Sequence, residues 1–556
     1  MRSIRTRRLL AAVCAAGVLA SLGAACGSGT PAASGGGLLD VYSGASGQLT
    51  PNFNPFSLTA TAGTAGMIYE PLMFFNQARA NDIQPQLATR YSFADGGRTL
   101  NFTLRRGVRW SDGQPFTAAD VAFTFNLIRT NQKLNTQAFS ITNATAGDAT
   151  HVTLTFSRAV YTRLWNIAGQ TWIVPEHIWS KISDPANFTN SKPVGTGPFT
   201  LASFSPQSYV LRKNTKYWEA GKPKIAGLRF HSFSGNESAT TALAAGQLDW
   251  SGLFIPNIAK QYVSKDSRHN QFINESILYV TNLVPNLDRP PLNDVVVRKA
   301  ISAALDRNQI IKLAFSGYGK YPNPAEIVQP LYTGSTAPKY RGAKLDFDPK
   351  GARQSLLAAG YTAGSDGILR DPRGRKLSFT CKVVSGFTDY ISALQIITQS
   401  LRAIGIELKT QQVSNSAFAT AEQTGDFDFI ITNGFGGPSP FFMYNNLLSS
   451  KQTAPVGQPA NSNFARFRNA TVDQALATIQ STPPTDTATL NAAYRRIQDV
   501  VVSQLPYIPI QQSSSLAEYR TVKATGWPTA SNHYALALPY SSPDAGIVAK
   551  NLVPVH

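Results

Sequence analysis

Hydrophobic and polar residues alternate along this chain with two different periods. A period of two occurs at Leu100, Phe102 and Leu104 and again at Val152, Leu154 and Phe156. Such alternation predicts strands with one solvated face. A period near 3.6 occurs in three other segments, so the chain is expected to be mixed α/β.

The three helical segments have recognisable starts and apolar faces. Thr117 to Asp120 predicts a capping box, and Asp294 precedes the second helix. The apolar faces comprise Val121, Phe125 and Ile128 in the first helix; Val297, Ile301, Ala304 and Leu305 in the second; and Leu394, Ile397, Leu401 and Ile404 in the third. Asp294, Arg298, Asp306 and Arg307 stand at spacings that permit local ion pairs and caps.

Residues 1–26 have the layout of a secretory signal. Four arginines precede an apolar run from Leu9 to Ala25 that ends at Cys26. Small residues before Cys26 make this segment similar to the lipobox of bacterial lipoproteins, and residues 27–37 predict a flexible tether. We therefore expect an extracytoplasmic chain, lipid-anchored to the cell membrane through Cys26. A retained signal anchor is the alternative, and the Sec and twin-arginine export routes both stay open.

The composition agrees with export and reduces the number of possible classes of binding partner. Cys381 is the remaining cysteine after the signal, which leaves no disulfide. The formal charge is +19 and falls to +15 when the four signal arginines are subtracted. Because the basic residues are spread along the whole chain, they indicate a basic surface rather than nucleic-acid binding. After Ala25, no segment is long and apolar enough to cross a membrane.

Sequence patterns of enzyme chemistry are absent. There is no G-x-S-x-G elbow, H-E-x-x-H pair, Walker loop or paired C-x-x-C. The six histidines are too far apart in sequence to lie on one helix or strand. The residues around His177 predict the start of a helix. We therefore expect no catalytic residues, no metal ligands and no cofactor. In Val194 to Phe199 two glycines permit positive φ and close backbone approach, which favours scaffold over a phosphate loop.

Ten segments, in order, resemble the solute-binding proteins of peptide/nickel-type ABC importers, which form family 5 of the bacterial extracellular solute-binding proteins. The resemblance as a whole extends over roughly residues 39–519. The segments are YEPL at 69–72, QPQLA at 84–88, LNFTLRRGVRWSDGQPFTAADVAFTF at 100–125, VGTGPF at 194–199, NTKYW at 214–218, AGQLD at 245–249, PLNDVVVRKAISAALDR at 291–307, FDPK at 347–350, LLAAGY at 356–361 and IGI at 404–406.

The resemblance implies an α/β fold of the periplasmic-binding-protein type II, a two-lobed clamp with an extra inserted domain. On that pattern residues 38–61, 195–285 and 515–556 form lobe I, residues 62–194 the inserted domain, and residues 286–514 lobe II. A solute buried between the lobes would favour the closed form, which engages the permease and ATPase subunits of the importer. A monomer is expected.

The same resemblance assigns candidate ligand-binding residues. They are Phe53, Asn54, Phe56 and Ser57, whose extended backbone could pair with a peptide; Gly434, Phe435 and Gly436, where Phe435 would stack on ligand; and the weaker candidates Trp250 and Asn282. For each of these residues, the alternative to ligand binding is a structural role in the core or in a turn.

One departure from the family bears on the ligand. Peptide-binding members usually have an aspartate shortly after the aromatic, which pairs with the peptide ammonium. Here no acid stands between Asp428 and Pro440, and burying an unpaired ammonium is costly. Either another carboxylate substitutes or the ligand has no free N-terminus. A peptide is the main expectation, and an oligosaccharide or N-terminally blocked solute is the alternative. A secreted hydrolase or a surface adhesin is the alternative from another class.

Overall fold

The computed structural model describes residues 37–57, 59–79, 81–275 and 279–555. Its strands are β1 (Leu39–Ser46), β2 (Met73–Phe75), β3 (Ile83–Pro85), β4 (Ala88–Ala94), β5 (Thr99–Leu104), β6 (Ile141–Ala146), β7 (His151–Phe156), β8 (Phe199–Phe204), β9 (Ser208–Lys213), β10 (Gly227–Phe233), β11 (Trp250–Ser251), β12 (Asn270–Glu275), β13 (Tyr279–Pro285), β14 (Thr362–Ala363), β15 (Leu369–Arg370), β16 (Ser378–Val384), β17 (Glu407–Val413), β18 (Phe429–Phe435), β19 (Ile508–Gln512), β20 (Ser515–Arg520), β21 (Ala524–Thr525) and β22 (Val553–Pro554).

The α-helices alternate with these strands. They are α1 (Ala118–Thr130), α2 (Glu176–Trp179), α3 (Asn236–Ala244), α4 (Ile258–Gln261), α5 (Val295–Ala303), α6 (Arg307–Ala314), α7 (Pro349–Ala358), α8 (Thr388–Ala403), α9 (Asn415–Thr424), α10 (Pro440–Leu448), α11 (Ala470–Ser481), α12 (Thr487–Gln504) and α13 (Asp544–Asn551).

The predicted strands and helices form where their patterns indicate. The two alternating segments are β5 and β7, which pair antiparallel in one sheet. Thr117 caps α1 in a complete capping box with Asp120, and Asp294 caps α5 through Val296 N–H. In each case a short polar side chain satisfies backbone donors that the first helical turn leaves free.

The arginines at α5 and α6 differ from the sequence expectation. Arg298 donates to the carbonyl oxygens of Leu505 and Gln504, and Arg307 donates to the carbonyl of Pro509. Both guanidinium groups are buried, and burial lowers the pKa of each to about 10. They therefore fasten the helices to the chain around β19 instead of closing local ion pairs.

Gly195 and Gly197 are needed for close approach rather than for positive φ. A Cβ on Gly195 would lie 1.9 Å from the carbonyl oxygen of Ile68, and one on Gly197 would lie 2.3 Å from that of Met67. Neither glycine has a positive φ. This contact fixes the loop before β8 against residues 64–69.

Three sheets organise the described chain. A seven-stranded sheet has the order β12-β20-β11-β1-β10-β9-β8, a five-stranded sheet has the order β17-β16-β18-β13-β19, and a four-stranded sheet has the order β4-β5-β7-β6. Residues 276–278 connect β12 to β13, and Ser513 and Ser514 connect β19 to β20, so two crossings link the two larger sheets. β13, which the sequence places with lobe I, pairs in the five-stranded sheet.

Contacts on two sides hold the larger sheets together beyond the crossings. On one side the ring of Trp165, which follows the four-stranded sheet, meets Phe442 of α10 edge-to-face at 4.9 Å. On the other side the hydroxyl of Tyr318 donates to the carbonyl of Ile255 at 3.1 Å. One continuous core includes the four-stranded sheet and one face of the five-stranded sheet. The four-stranded sheet therefore packs directly against the five-stranded sheet.

Candidate ligand-binding cleft

In both larger sheets, the carboxyl ends of the parallel strands lie at the edge where the chain crosses to the other sheet. Strands β1, β10, β11 and β12 end where β20 begins. Strands β16, β17, β18 and β19 end where β13 begins. Ligands in α/β folds bind outside the carboxyl ends of strands. We call the space between these two edges the cleft; residues 42–46, 233–236 and 251–255 bound it on one side and residues 384–390 and 433–437 on the other.

Tyrosines line the cleft from both sides. Tyr540 keeps 43% of its surface, yet burial raises its pKa. Tyr42, Tyr279 and Tyr390 are half-buried, and burial raises the pKa of each. Tyr540 therefore keeps exposed ring surface on the seven-stranded side of the cleft, while the Tyr42 and Tyr390 rings contact Phe233 and Phe387 on their own sides.

Tyr540 is held in place by the closely packed segment 533–544. Its ring packs on Gly44, where a Cβ would lie 3.0 Å from the ring. Its hydroxyl donates to the carbonyl of Gly252 at 3.3 Å. The indole N–H of Trp250 donates to the carbonyl of Ala537 at 2.6 Å, and the N–H of Ala537 donates to Glu275 at 2.5 Å. This segment therefore presents an aromatic ring to the cleft on a fixed support.

Hydroxyl and amide groups form the floor of the cleft beside the crossings. Thr281 Oγ1 lies 2.9 Å from Asn433 Oδ1 and 2.6 Å from Ser513 Oγ. Ser513 also donates to Asn433 at 3.2 Å. Asn433 is exposed at the end of β18. Thr281 and Ser513 are buried, so Asn433 is the member of this cluster that a solute can reach, and the two hydroxyl groups hold its amide in place.

The structure places Phe53, Asn54, Phe56 and Ser57 away from this cleft. Phe53 is fully buried, and its N–H and C=O already bond to Thr189 and Asn190. The Asn54 amide donates to the carbonyls of residues 185 and 188, and Phe56 meets a tryptophan ring at 5.3 Å. Ser57 accepts from a neighbouring asparagine at 2.9 Å. This segment fastens the chain that follows β1 to residues 185–190.

Trp250 and Asn282 lie near the cleft but are fully buried. Trp250 packs on Trp527 at 5.4 Å and supports the Tyr540 segment from below. Asn282 donates to Glu326 Oε2 at 3.3 Å within the five-stranded-sheet core. Burial raises the pKa of Glu326 to about 8, so this carboxyl is protonated at neutral pH and pairs with the amide as a neutral partner.

Gly434, Phe435 and Gly436 lie at the cleft edge, at the end of β18. Phe435 pairs with Tyr279 across the sheet, and its side chain lies outside the described part of the structure. A Cβ on Gly434 would lie 3.1 Å from Leu447, and one on Gly437 would lie 2.7 Å from the ring of Phe442. Neither position can take a longer side chain without movement, so this loop has no room for an acid at Gly437.

Cys26 lies outside the described residues. Within them, no helix is long and apolar enough to span a membrane. The same part of the chain holds no group of three or more histidine, cysteine, aspartate or glutamate side chains able to bind a metal ion. Cys381 is free and buried.

Sequence reasoning placed Asn433 in the stretch before Phe435 but did not identify Tyr540, Thr281 or Ser513. Tyr540 follows an irregular segment with no period, and the three polar residues are far apart in sequence. The pairing of β13 with β18 and β19 brings them together. The signal in the sequence was the position of Asn433, two residues after the buried run that ends at Ile431.

Comparison with known proteins assigns the family. The model of bacterial extracellular solute-binding proteins, family 5 Middle, matches residues 82–455. This is more than half of the chain, which therefore belongs to the family. Protein XP55 of Streptomyces lividans is 29% identical over 436 residues, which are 77% of this chain and 75% of that protein. The oligopeptide-binding protein AppA of Bacillus subtilis is 25% identical over 480 residues, 84% and 85% of the two chains.

Solved structures confirm the fold. A periplasmic oligopeptide-binding protein of Thermotoga maritima aligns with a TM-score of 0.85 and 24% identity over 93% of this chain and 99% of that one. A mannohexaose-bound structure of the same protein has a TM-score of 0.80, with the same identity and coverage. The chain is thus a solute-binding protein of the ABC-importer class with the type II periplasmic-binding-protein fold, and its relatives are solute-binding proteins rather than enzymes.

Proposed function

We propose that this chain captures a di- or oligopeptide in the cleft and delivers it to the permease and ATPase subunits of an ABC importer. The observation that carries the proposal is the cleft between two strand-end edges, lined by the half-buried Tyr42, Tyr279 and Tyr390 and by Tyr540, which keeps 43% of its surface. Such a lining gives apolar contact area to side chains of varied shape, while the polar floor bonds to backbone groups. The peptide-binding name of the Bacillus subtilis relative supports this solute class.

An oligosaccharide is the second candidate. Tyrosine rings beside the hydroxyl and amide groups of Thr281, Asn433 and Ser513 also suit a sugar, whose faces are apolar and whose edges are polar. The related Thermotoga maritima protein is described with mannohexaose bound. In this case the solute would carry no charge, and the cleft would need no carboxylate.

Titration calorimetry distinguishes the two candidates. The purified chain is titrated with random peptide pools of two to nine residues and, separately, with manno-oligosaccharides of two to six units. Binding of peptides alone is the expected result. Binding of oligosaccharides alone would overturn the peptide proposal and leave the importer role in place.

Attachment to the membrane is proposed through Cys26. The apolar run before Cys26 and the tether at 27–37 support lipidation at this thiol. In bacterial cells that acylate lipoproteins, the wild-type chain should label with palmitate and partition into detergent. The Cys26→Ser chain should do neither, and equal labelling of both chains would contradict the proposal.

A further inference from the structure

The described chain enters the seven-stranded sheet at the edge opposite to the cleft. Leu38 directly precedes β1, and its side chain lies 3.0 Å from the position of a Cβ on Gly227, which opens β10. Because β1 and β10 run parallel and their carboxyl ends border the cleft, both strands begin at the other edge. We call it the amino-end edge; it comprises residues 37–39, 212–213, 224–227, 265–270, 520–525 and 553–555.

Exposed basic side chains stand along the amino-end edge. The N–H of Lys213, the last residue of β9, donates to the carbonyl of Ala226 at 3.0 Å, two residues after Lys224. The turn before β12 joins the same edge, because the N–H of Thr521 donates to the carbonyl of His269 at 3.0 Å. The exposed bases of these segments are Arg212, Lys213, Lys224, Lys265 and Arg268.

The acids of the amino-end edge are already paired with other bases. Asp40 and Asp249 both accept from the ammonium of Lys523, at 2.8 and 2.7 Å. Asp266 lies 3.3 Å from a guanidinium nitrogen of Arg520. Within the described part of the chain the five exposed bases form no ion pair. The amino-end edge therefore carries a net positive charge that faces solvent.

Three exposed valines lie at the same edge. Val522, Val553 and Val555 keep 42%, 37% and 43% of their surface. The N–H of Val555 donates to the carbonyl of Lys523 at 3.0 Å, and the Lys523 ammonium donates to the carbonyl of Leu38 at 3.1 Å. Exposed aliphatic side chains therefore stand beside the point at which residues 27–37 join the fold.

Aliphatic side chains among unpaired cations are complementary to an anionic lipid bilayer, because the head groups attract the cations and the boundary below them admits apolar groups. We propose that the amino-end edge binds the anionic lipid surface of the cell membrane and keeps the cleft clear of the head groups. A flexible tether formed by residues 27–37 has a reach of about 18 Å, so a lipid anchor at Cys26 would hold this edge close to the bilayer. The orientation rests on the proposed attachment through Cys26, whereas lipid binding by the edge does not require the anchor.

Vesicle co-sedimentation tests the inference. The chain is produced from residue 27 onward, which leaves out the lipid anchor and keeps every described residue. It is mixed with vesicles of phosphatidylcholine alone or of equal parts phosphatidylcholine and phosphatidylglycerol. We expect the partition coefficient to be at least about tenfold higher for the anionic vesicles and to fall as salt is added, because salt screens exposed charges.

Charge reversal locates the lipid-binding surface. Because each base close to an anionic surface strengthens binding several-fold, the triple variant Lys213→Glu, Lys224→Glu and Arg268→Glu should bind anionic vesicles at least about tenfold more weakly. A second variant, Val553→Ser with Val555→Ser, changes no charge and should weaken binding about threefold, since it removes apolar contact with the bilayer. Thermal unfolding checks that both variants are folded.

The control is the triple variant Lys299→Glu, Lys312→Glu and Lys350→Glu, which makes the same change in net charge at exposed lysines of α5, α6 and α7. It should keep wild-type binding. Equal weakening by the two triple variants would mean attraction by net charge alone and would overturn the assigned surface. Equal binding of the wild-type chain to neutral and anionic vesicles, or to neither, would also overturn the inference. Solute capture and acylation at Cys26 would stand in each case, because calorimetry and palmitate labelling test them separately.

Discussion

The two edges of the cleft differ in how their groups are satisfied. On the seven-stranded side, buried carboxylates are used inside the protein: Glu518 bonds to Ser251 and Leu253, and Glu275 to Ala537. On the five-stranded side, Asn433 is exposed at the end of β18. The first edge therefore holds an aromatic ring in a fixed position, whereas the second leaves a polar side chain exposed.

The largest expected effect comes from removing the support of the rigid edge. Trp250→Ala deletes a fully buried indole and its bond to Ala537, and we expect a loss of about 3–5 kcal/mol of unfolding free energy. Chemical denaturation measures it. Val522→Ala, at a side chain that keeps 42% of its surface, is the control and should change stability by less than about 0.5 kcal/mol. If Trp250→Ala also lost less than about 0.5 kcal/mol of unfolding free energy, contacts other than Trp250 would hold the segment 533–544 in place.

Removing the ring itself should affect affinity more than stability. Tyr540→Ala should weaken peptide binding at least about tenfold, equivalent to about 1.4 kcal/mol, because it deletes the exposed ring surface in the cleft. Phe435→Ala should do the same if its ring stacks on the solute. Tyr540→Phe keeps the ring and loses one 3.3 Å hydrogen bond, so its affinity should stay close to wild type. Titration calorimetry gives all three constants, and equal affinities of wild type and Tyr540→Ala would remove Tyr540 from the site.

The buried carboxyl group of Glu326, in the core of the five-stranded sheet, should make the free energy of unfolding depend on pH. The pKa of Glu326 is raised to about 8 by burial, while an unfolded glutamate releases its proton near about 4.3. Between these values the folded chain holds a proton that the unfolded chain has lost, so the Glu326 contribution to stability falls as pH rises. Glu326→Gln should therefore gain stability relative to wild type from pH 5 to pH 8. Denaturation at several pH values measures it, with the exposed Glu237→Gln as control; a difference constant with pH would contradict a protonated Glu326.

The smallest effect is expected at the cleft floor. Thr281→Val keeps the shape and removes the hydroxyl that contacts Asn433 and Ser513. We expect a loss of about 0.5–1.5 kcal/mol in unfolding free energy, because Asn433 and Ser513 retain their own bond at 3.2 Å. Differential scanning calorimetry resolves such a change. A loss above that of Trp250→Ala would reverse the assignment of the rigid and polar edges.

Local features of the fold could be predicted from the sequence because they depend on neighbouring residues. The caps at Thr117 and Asp294 and the faces of α1, α5 and α8 follow from spacing within one turn. The partners of Arg298 and Arg307 could not be predicted, since the carbonyls that they bind are about 200 residues away. A charged residue beside an acid in sequence predicts an ion pair only when the helix stays at the surface.

The candidate site was predicted less completely, for the same reason. The end of β18 was placed at the cleft through the resemblance to the family. Thr281, Asn433 and Ser513 come from different parts of the chain, and their proximity depends on the pairing of β13 with β18 and β19. Phe53 to Ser57 precede the inserted residues and resemble a free extended segment, but Thr189 and Asn190 already occupy the Phe53 backbone.

Hydrogen–deuterium exchange of the purified chain with and without a saturating free-amine peptide pool tests the central claim most directly. If the solute is held between the two edges, peptide should slow exchange in residues 42–47 and 251–255 on one side and in residues 385–390 and 434–437 on the other, together and to a similar extent. Protection confined to one edge, or located outside both, would contradict binding in the cleft.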